Sequence, residues 1–441
     1  MAGSFKVLQW TIDAARREVV FSFDCASFGP FEEVVTFPVD LPQTDETKAL
    51  LGFAAPLLGL SYYKAAASAR VEIEYALPKE ALAASQALYT QGLGEFYVRN
   101  DIFPHDVEVV ALEKDSVAAT APLSKAQDLD TNPVLAFGGG KDSHVSAEVL
   151  SAIGLSPEFV SVVLSETVAQ KLASMSYEPI TFLRRTLDPK LIALASTGAA
   201  KNGHIPITAI NSVLLALYAN ATGRRDVIFS NEAGASAATR IVQGQEVNHQ
   251  YSKSFAFEGL LRTAFASLLG DKISYVSLLR PVSELWIAKR LARAPQRLAT
   301  FASCNRNFVS TVSIEEAQRV KWCGTCDKCL FTALILAPHL TPERHFEIFG
   351  HKMLDDPQYT DMARELVGLG NQKPWECVGD VDDTRLVAQV LSKDPAWKDK
   401  AVIKNLASEI EANTKARTAF ETRLKARGES YLPTALRAAL T

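Results

Sequence analysis

Two stretches of the chain combine residue types and spacings that do chemistry. The first is VLAFGGGKDSHVSAEVL, residues 134–150. Three glycines after an apolar strand let the backbone turn tightly and approach a ligand without side-chain obstruction. The helix that follows offers free N–H groups and a positive dipole end, which suit an anion such as pyrophosphate. Gly138, Gly139 and Gly140 form the cradle, Lys141 adds charge, Ser143 a hydroxyl, and Asp142 a helix cap or a Mg²⁺ contact. Neither G-x-x-x-x-G-K-[ST] nor G-x-G-x-x-G fits here. The second stretch is Cys323-Gly-Thr-Cys326-Asp-Lys-Cys329, with Cys304 nineteen residues upstream as a fourth ligand. Thiolates at this spacing converge on a tetrahedral ion, and four protein ligands close the site, making it structural. Zinc, an iron–sulfur cluster and unliganded core cysteines are the three readings. Cys25 and Cys377 stand apart and are expected to be packing residues.

The elements that must position these groups alternate strand and helix after residue 133. Strands are expected at 134–137, 158–164, 226–230 and 273–278, with helices to about residue 153 and over 208–220. That rhythm predicts an α/β fold with a doubly wound parallel sheet, whose ligands sit outside the carboxyl ends of the strands. Gly138–Gly140, Asn231, Glu232 and Arg280 fall at that edge. The first 125 residues read as a smaller, independent α+β unit. Three strands (FKVLQWTID, REVVFSFDC and EEVVTFPVDL) precede helical segments near 47–67 and 79–96. SKAQDLDTNP is the expected linker. The division is therefore 1–125, 130–300 and 301–441, the last a helical region carrying the cysteine cluster and ending in a charged tail that caps the core. Ser283 reads as a helix cap that needs no ligand.

Composition narrows the partners. With 46 Lys+Arg against 50 Asp+Glu the net charge is −4, which excludes a polybasic nucleic-acid binder. Six cysteines in 441 residues are too few for a disulfide scaffold. The N-terminus lacks a signal-peptide pattern, and the apolar stretch 49–63 is short of a membrane span and reads as a buried helix. A cytoplasmic protein with no membrane or nucleic-acid partner is expected.

The glycine loop resembles Ser-Gly-Gly-x-Asp-Ser of the ATP pyrophosphatases, with Gly138 in place of the first serine. That change removes one hydroxyl donor and leaves the backbone cradle. Further stretches, in order, are SYYKAA (61–66), GLGEFYVRN (92–100), NGHIPITAINS (202–212), SNEAGAS (230–236), VNHQYSKSFAFE (247–258), LLRPVSELWIAK (278–289), WCGTCDKC and KPWECVG (373–379). With FGGGKDS they resemble the UDP-N-acetylmuramoyl-L-alanyl-L-glutamate epimerases, over about residues 8–390. The resemblance implies an ATP-pyrophosphatase-type core of the adenine nucleotide alpha hydrolase kind. It implies inversion of the terminal L-Glu of UDP-MurNAc-L-Ala-L-Glu through an acyl adenylate, with ATP and Mg²⁺, in peptidoglycan precursor synthesis. It also favours zinc in the cysteine site and implies work beside a ligase that adds L-Glu. Within that reading Glu232 binds Mg²⁺ or acts as base, and His249, Lys253 and His204 transfer protons or bind a carboxylate. Asn231 joins the nucleotide site. Arg184, Arg185, Arg240 and Arg280 grip carboxylates and diphosphate, or are ordinary surface charges. An adenylating enzyme acting on a nucleobase or tRNA is the alternative, and a nucleotide sensor the third reading.

Overall fold

Alternation of apolar and polar residues along Val19, Phe21, Phe23 and Cys25 buries one face of a strand and wets the other. In the computed structural model, which describes residues 3–114, 129–304, 306, 321–370, 372–411 and 413–441, this strand is β2 (Glu18–Cys25). It lies between β1 (Phe5–Asp13) and β3 (Gly29–Thr36), antiparallel to both. β3 starts before the EEVV run expected from the sequence. The helix Asp45–Tyr63 then crosses to β4 (Arg70–Pro78), and the helix Lys79–Ala87 leads to β5 (Glu108–Lys114); both β1–β4 and β4–β5 are parallel. Asp45–Tyr63 is the buried helix expected at 49–63, since every residue from Leu50 to Tyr63 is buried.

The second half supplies β6 (Val134–Ala136), β7 (Glu158–Val163), β8 (Ile180–Thr186) and β9 (Asp226–Phe229). A short hairpin of β10 (Arg240–Val242) and β11 (Gln245–Val247) stands outside the main sheet, and β12 (Ser274–Ser277) completes it. The order is β12-β9-β6-β7-β8-β3-β2-β1-β4-β5, and the run from β12 to β8 is parallel throughout. The fold is thus mixed α/β around one ten-stranded, mainly parallel sheet, with a helical C-terminal region. β6 is the switch point: the chain leaves it toward β7 on one side and returns to β9 on the other. Crevices for ligands open at such points. Helix Lys141–Ala152 packs on one face through Val145, Val149 and Leu150, and helix Ile207–Ala221 on the other through Ala209, Val213 and Leu217.

β8 was not foreseen, and it joins the two halves of the sheet by pairing antiparallel with β3. Its Arg185 is buried and donates to Glu33 Oε1 at 2.6 Å and to Ser61 Oγ at 3.1 Å. One continuous core runs from Phe5 through Tyr89 to Tyr275 on that face. On the opposite face the C-terminal helices bury Leu330, Leu334, Val387, Leu391, Val402 and Ile403, so the charged tail does cap a core. No described helix is long and apolar enough to cross a membrane.

Candidate active site

The β6 loop is shaped by its glycines. Gly139 has φ +69°, the left-handed region, and an added Cβ would sit 3.0 Å from Met175 Sδ and 3.1 Å from Leu172 Cδ2. Gly138 has open space beside it, facing a cavity of about 480 Å³ bounded by the β6, β7 and β9 ends. That volume is within the range of small-molecule sites. Gly140, Lys141, Asp142, Ser143, Asn231, Glu232, Gln250, Lys253, Glu284, Lys328 and Cys377 also line it, opposite an apolar wall of Val160, Val163, Leu172 and Leu215.

Charge is concentrated at one end. Lys141 is buried, with Nζ 2.7 Å from Asp142 Oδ1 and 2.7 Å from Glu284 Oε2. Burial, with the charges of Asp142 and Glu232, pushes the Glu284 carboxyl up to about 8 against the pull of Lys141. Burial, with Asp142 adding to it, likewise raises Glu232, opposed by Lys141, Arg280 and its hydrogen bond from Gly234 N–H. Asn231 is fixed by donating to Ser277 Oγ at 3.0 Å. Ser283 caps helix Glu284–Ala292 by accepting from Trp286 N–H at 3.2 Å, and so aims Glu284 at Lys141. Ser283→Ala is expected to cost about 1–2 kcal/mol in urea denaturation. A change within error of zero would show that the cap does not hold this helix.

A second polar cluster meets the first through Lys253. Its Nζ donates to Cys377 Sγ at 3.4 Å, and Cys377 Sγ lies 3.6 Å from His249 Nε2. His249 Nδ1 is hydrogen-bonded to the buried Glu95 carboxylate, and the His204 ring stands 4.4 Å from the His249 ring. Burial alone would lower His249; the bonds and charges of Cys377 and Glu95 outweigh it and hold the imidazole at about 9. Burial and the charge of His249 push His204 down to about 3. Burial would raise the Cys377 thiol, but Lys253, His249 and Lys328 bring it well below the ordinary thiol value.

The cysteines of the C-terminal region converge as well. Sulfur–sulfur distances are 3.4 Å for Cys326–Cys329 and 3.7 Å for Cys323–Cys329, and the four thiols of Cys304, Cys323, Cys326 and Cys329 lie within 4.8 Å of one another. A tetrahedron with metal–sulfur bonds of about 2.3 Å has edges of about 3.8 Å, so the group is able to hold a metal. It is also tied to the glycine loop. Ser303, next to Cys304, accepts from Lys141 N–H at 3.2 Å, and Ala302 N–H donates to Gly139 O at 2.9 Å.

Comparison with known proteins decides the family. The sequence model of the MurL N-terminal domain matches residues 1–278, and that of the MurL C-terminal domain matches 300–421. The UDP-N-acetyl-alpha-D-muramoyl-L-alanyl-L-glutamate epimerase of a Micromonospora species is 38% identical over 418 residues, 92% of this chain and 91% of that protein. Those of Salinispora tropica (36% over 441 residues, 98% and 94% of the two chains) and Xanthomonas oryzae pv. oryzae (37% over 356, 80% and 77%) are similar. The chain belongs to this epimerase family. The stretches that carried the resemblance supply the residues of the cavity and of the cluster beside it: Glu95, His204, Glu232, His249, Lys253, Glu284, Lys328 and Cys377 all come from them.

Other residues expected from sequence take varied places. Arg280 is buried, donating to Glu258 Oε2 at 2.9 Å and to the Glu232 carbonyl at 2.7 Å, so it braces the loop behind the cavity. Arg240 donates to the Lys373 carbonyl at 3.0 Å and stacks on Trp375 at 4.5 Å, which pins the loop bearing Cys377. Arg185 reaches the cavity wall, though its guanidinium is engaged by Glu33 and Ser61, while Arg184 pairs with Glu166 at the surface. The reading of Cys377 as a packing residue is corrected: the residue lines the cavity, and its sulfur lies between Lys253 Nζ and His249 Nε2. Cys25 is a packing residue, fully buried in β2. Sequence reasoning missed Glu95 and Glu284. Position gave a signal for Glu284, directly after the β12 turn at the ligand edge; Glu95 lay in the GLGEFYVRN stretch of the resemblance, but nothing there gave it a role.

Proposed function

We propose that the chain inverts the terminal L-Glu of UDP-MurNAc-L-Ala-L-Glu to D-Glu, using ATP to form an acyl adenylate and releasing AMP and diphosphate. The observation that carries this reading is the cavity at the β6 switch point, which joins a glycine cradle suited to an anion to a cluster of proton-transfer groups. A glutamate α-proton resists removal beside a carboxylate. Adenylation cancels that charge and provides a carbonyl to take up the new one. In an ATP-pyrophosphatase-type core Gly138–Gly140 and Ser143 would hold phosphate oxygens at the start of helix Lys141–Ala152. Asp142 and Glu232 would hold Mg²⁺, whose charge relieves the crowding of carboxylates and stabilises departing diphosphate. The four cysteines fit structural zinc by spacing and donor type, a closed site with no catalytic position. The expected partner in metabolism is a ligase that adds the L-Glu, and the expected site of action is the cytoplasm.

The test supplies ATP, Mg²⁺ and the L,L precursor, measures diphosphate, then hydrolyses the product and resolves the glutamate enantiomers. D-Glu formed in step with diphosphate is the expected result. Diphosphate without D-Glu overturns the epimerase reading while keeping an adenylating enzyme.

A further inference from the structure

The epimerisation proposed above needs a group that removes the α-proton of the activated glutamate, and the geometry points to Cys377. We propose that the Cys377 thiolate is that proton acceptor, held by His249 and Lys253, with Glu95 positioning His249. The inference rests on the epimerase reading and gives a role to a residue that sequence reasoning had assigned to packing.

Four observations converge. Cys377 borders the same cavity as the glycine loop and Glu232, so the thiol and the phosphate cradle open onto one space. Its sulfur takes a hydrogen bond from Lys253 Nζ at 3.4 Å and sits 3.6 Å from His249 Nε2, so two cationic donors stabilise a thiolate. Glu95, buried on the helix Gly94–Arg99, binds the other ring nitrogen of His249 and fixes its orientation. Finally, the backbone is built for closeness. A Cβ on Gly379 would meet Glu284 Cγ at 2.8 Å, and one on Gly94 would meet Val247 Cγ1 at 2.9 Å. The Cys377 loop and the Glu95 helix therefore approach the site only because those positions carry no side chain. Lys253, His249 and Lys328 face the thiol with positive charge, and Lys373 and Glu376 flank it on its own loop.

In the step itself a sulfur lone pair takes the α-proton, forming S–H. The electrons of the Cα–H bond move into the acyl adenylate, generating the enolate on its carbonyl oxygen. No bond forms between sulfur and the acyl carbon, which separates this role from that of a covalent nucleophile. The carboxylates of Asp142, Glu232 and Glu284 are weaker candidates for this step, since Lys141 engages the first and last and Gly234 N–H the second.

The test runs the reaction in D₂O with the full-length chain, ATP, Mg²⁺ and the L,L precursor. Deuterium at the glutamate Cα and released diphosphate are both measured. For Cys377→Ala the ratio of deuterium incorporated to diphosphate released is expected to fall roughly 1000-fold, within the usual range for loss of a proton-transfer group. His249→Asn is expected to move the acid limb of the exchange rate to higher pH, because the thiolate loses its imidazolium partner. A second readout does not depend on turnover: alkylation of wild-type Cys377 by iodoacetamide should stay fast below pH 7, and its inflexion should rise in His249→Asn. An unchanged ratio in Cys377→Ala overturns the proposal and leaves the epimerase reading intact. So does an ordinary thiol inflexion in the wild type, or a substrate-mass acyl adduct on Cys377 after rapid quenching. A wild-type chain that forms no D-Glu overturns both.

Discussion

Removing metal from the four-cysteine group is expected to lower diphosphate release roughly 100-fold or more while leaving much of the fold in place. Structural zinc sites carry apparent binding energies of about 10–16 kcal/mol, so their loss dissolves whatever folds only around the ion. Here the consequence passes through a short path. Cys304 follows Ser303, whose Oγ receives Lys141 N–H at 3.2 Å, and Ala302 N–H holds Gly139 O at 2.9 Å. Freeing this segment unlocks the glycine loop at its base. The core on the other side of the sheet, from Phe5 to Tyr275, has no stake in the cluster. A strong chelator, or Cys329→Ser, should therefore release zinc in stoichiometric amount and lower diphosphate release roughly 100-fold or more, the scale of losing preorganised electrostatics. Cys25→Ser, buried in β2 and part of neither the cavity lining nor the four-cysteine group, is the control for cysteine loss as such. Metal analysis, a diphosphate assay and far-ultraviolet dichroism together check the result. A chain stripped of metal that turns over at the full rate would show that the bound ion does not support the loop, and a wild-type chain that releases no metal would show that the cluster holds none.

How far such relations were legible in the sequence depends on their range. The parallel strands β6, β7, β9 and β12 were foreseen because strands buried on both faces read as short apolar runs between helices. The glycine loop, Asn231 and Glu232 followed from their place at strand ends. β8 was hidden by Arg184-Arg185, which reads as surface, yet Arg185 is buried because Glu33, 152 residues away, meets it. The cysteines could be grouped because three lie within seven positions. Cys377 could not be grouped with its partners, since His249 is 128 residues away and Lys253 is 124. Glu95 is 154 residues from His249. Local pattern reports which residues are buried; it does not report which distant charges meet. The N-terminal half is a further case. Its strands alternate as an independent unit would, but its core continues into the second half and it supplies Glu95 to the site. A chain beginning at residue 129 would lose both.

Lys141 offers the most direct check on the charge balance of the cavity. It is buried between Asp142 and Glu284, each 2.7 Å from Nζ, and Glu232 senses the same charge. Lys141→Met keeps the length of the side chain and removes its charge. Breaking a buried pair from one side leaves Glu284 to stay charged without its partner or to take up a proton, at a cost of up to about 3–5 kcal/mol. On the proposed chemistry, loss of the cation at the start of the phosphate-loop helix should also lower turnover roughly 100-fold. These two effects separate in the double variant. Lys141→Met with Glu284→Gln removes the stranded charge together with its partner, so urea denaturation should show most of the stability regained. Diphosphate release should not recover, because the positive charge is still missing from the loop. Equal stability of the single and double variants would show that Glu284 is not held by Lys141. Recovery of turnover in the double variant would instead show that Lys141 acts only by neutralising Glu284, and that the phosphate charge is met by the backbone cradle and Mg²⁺ alone.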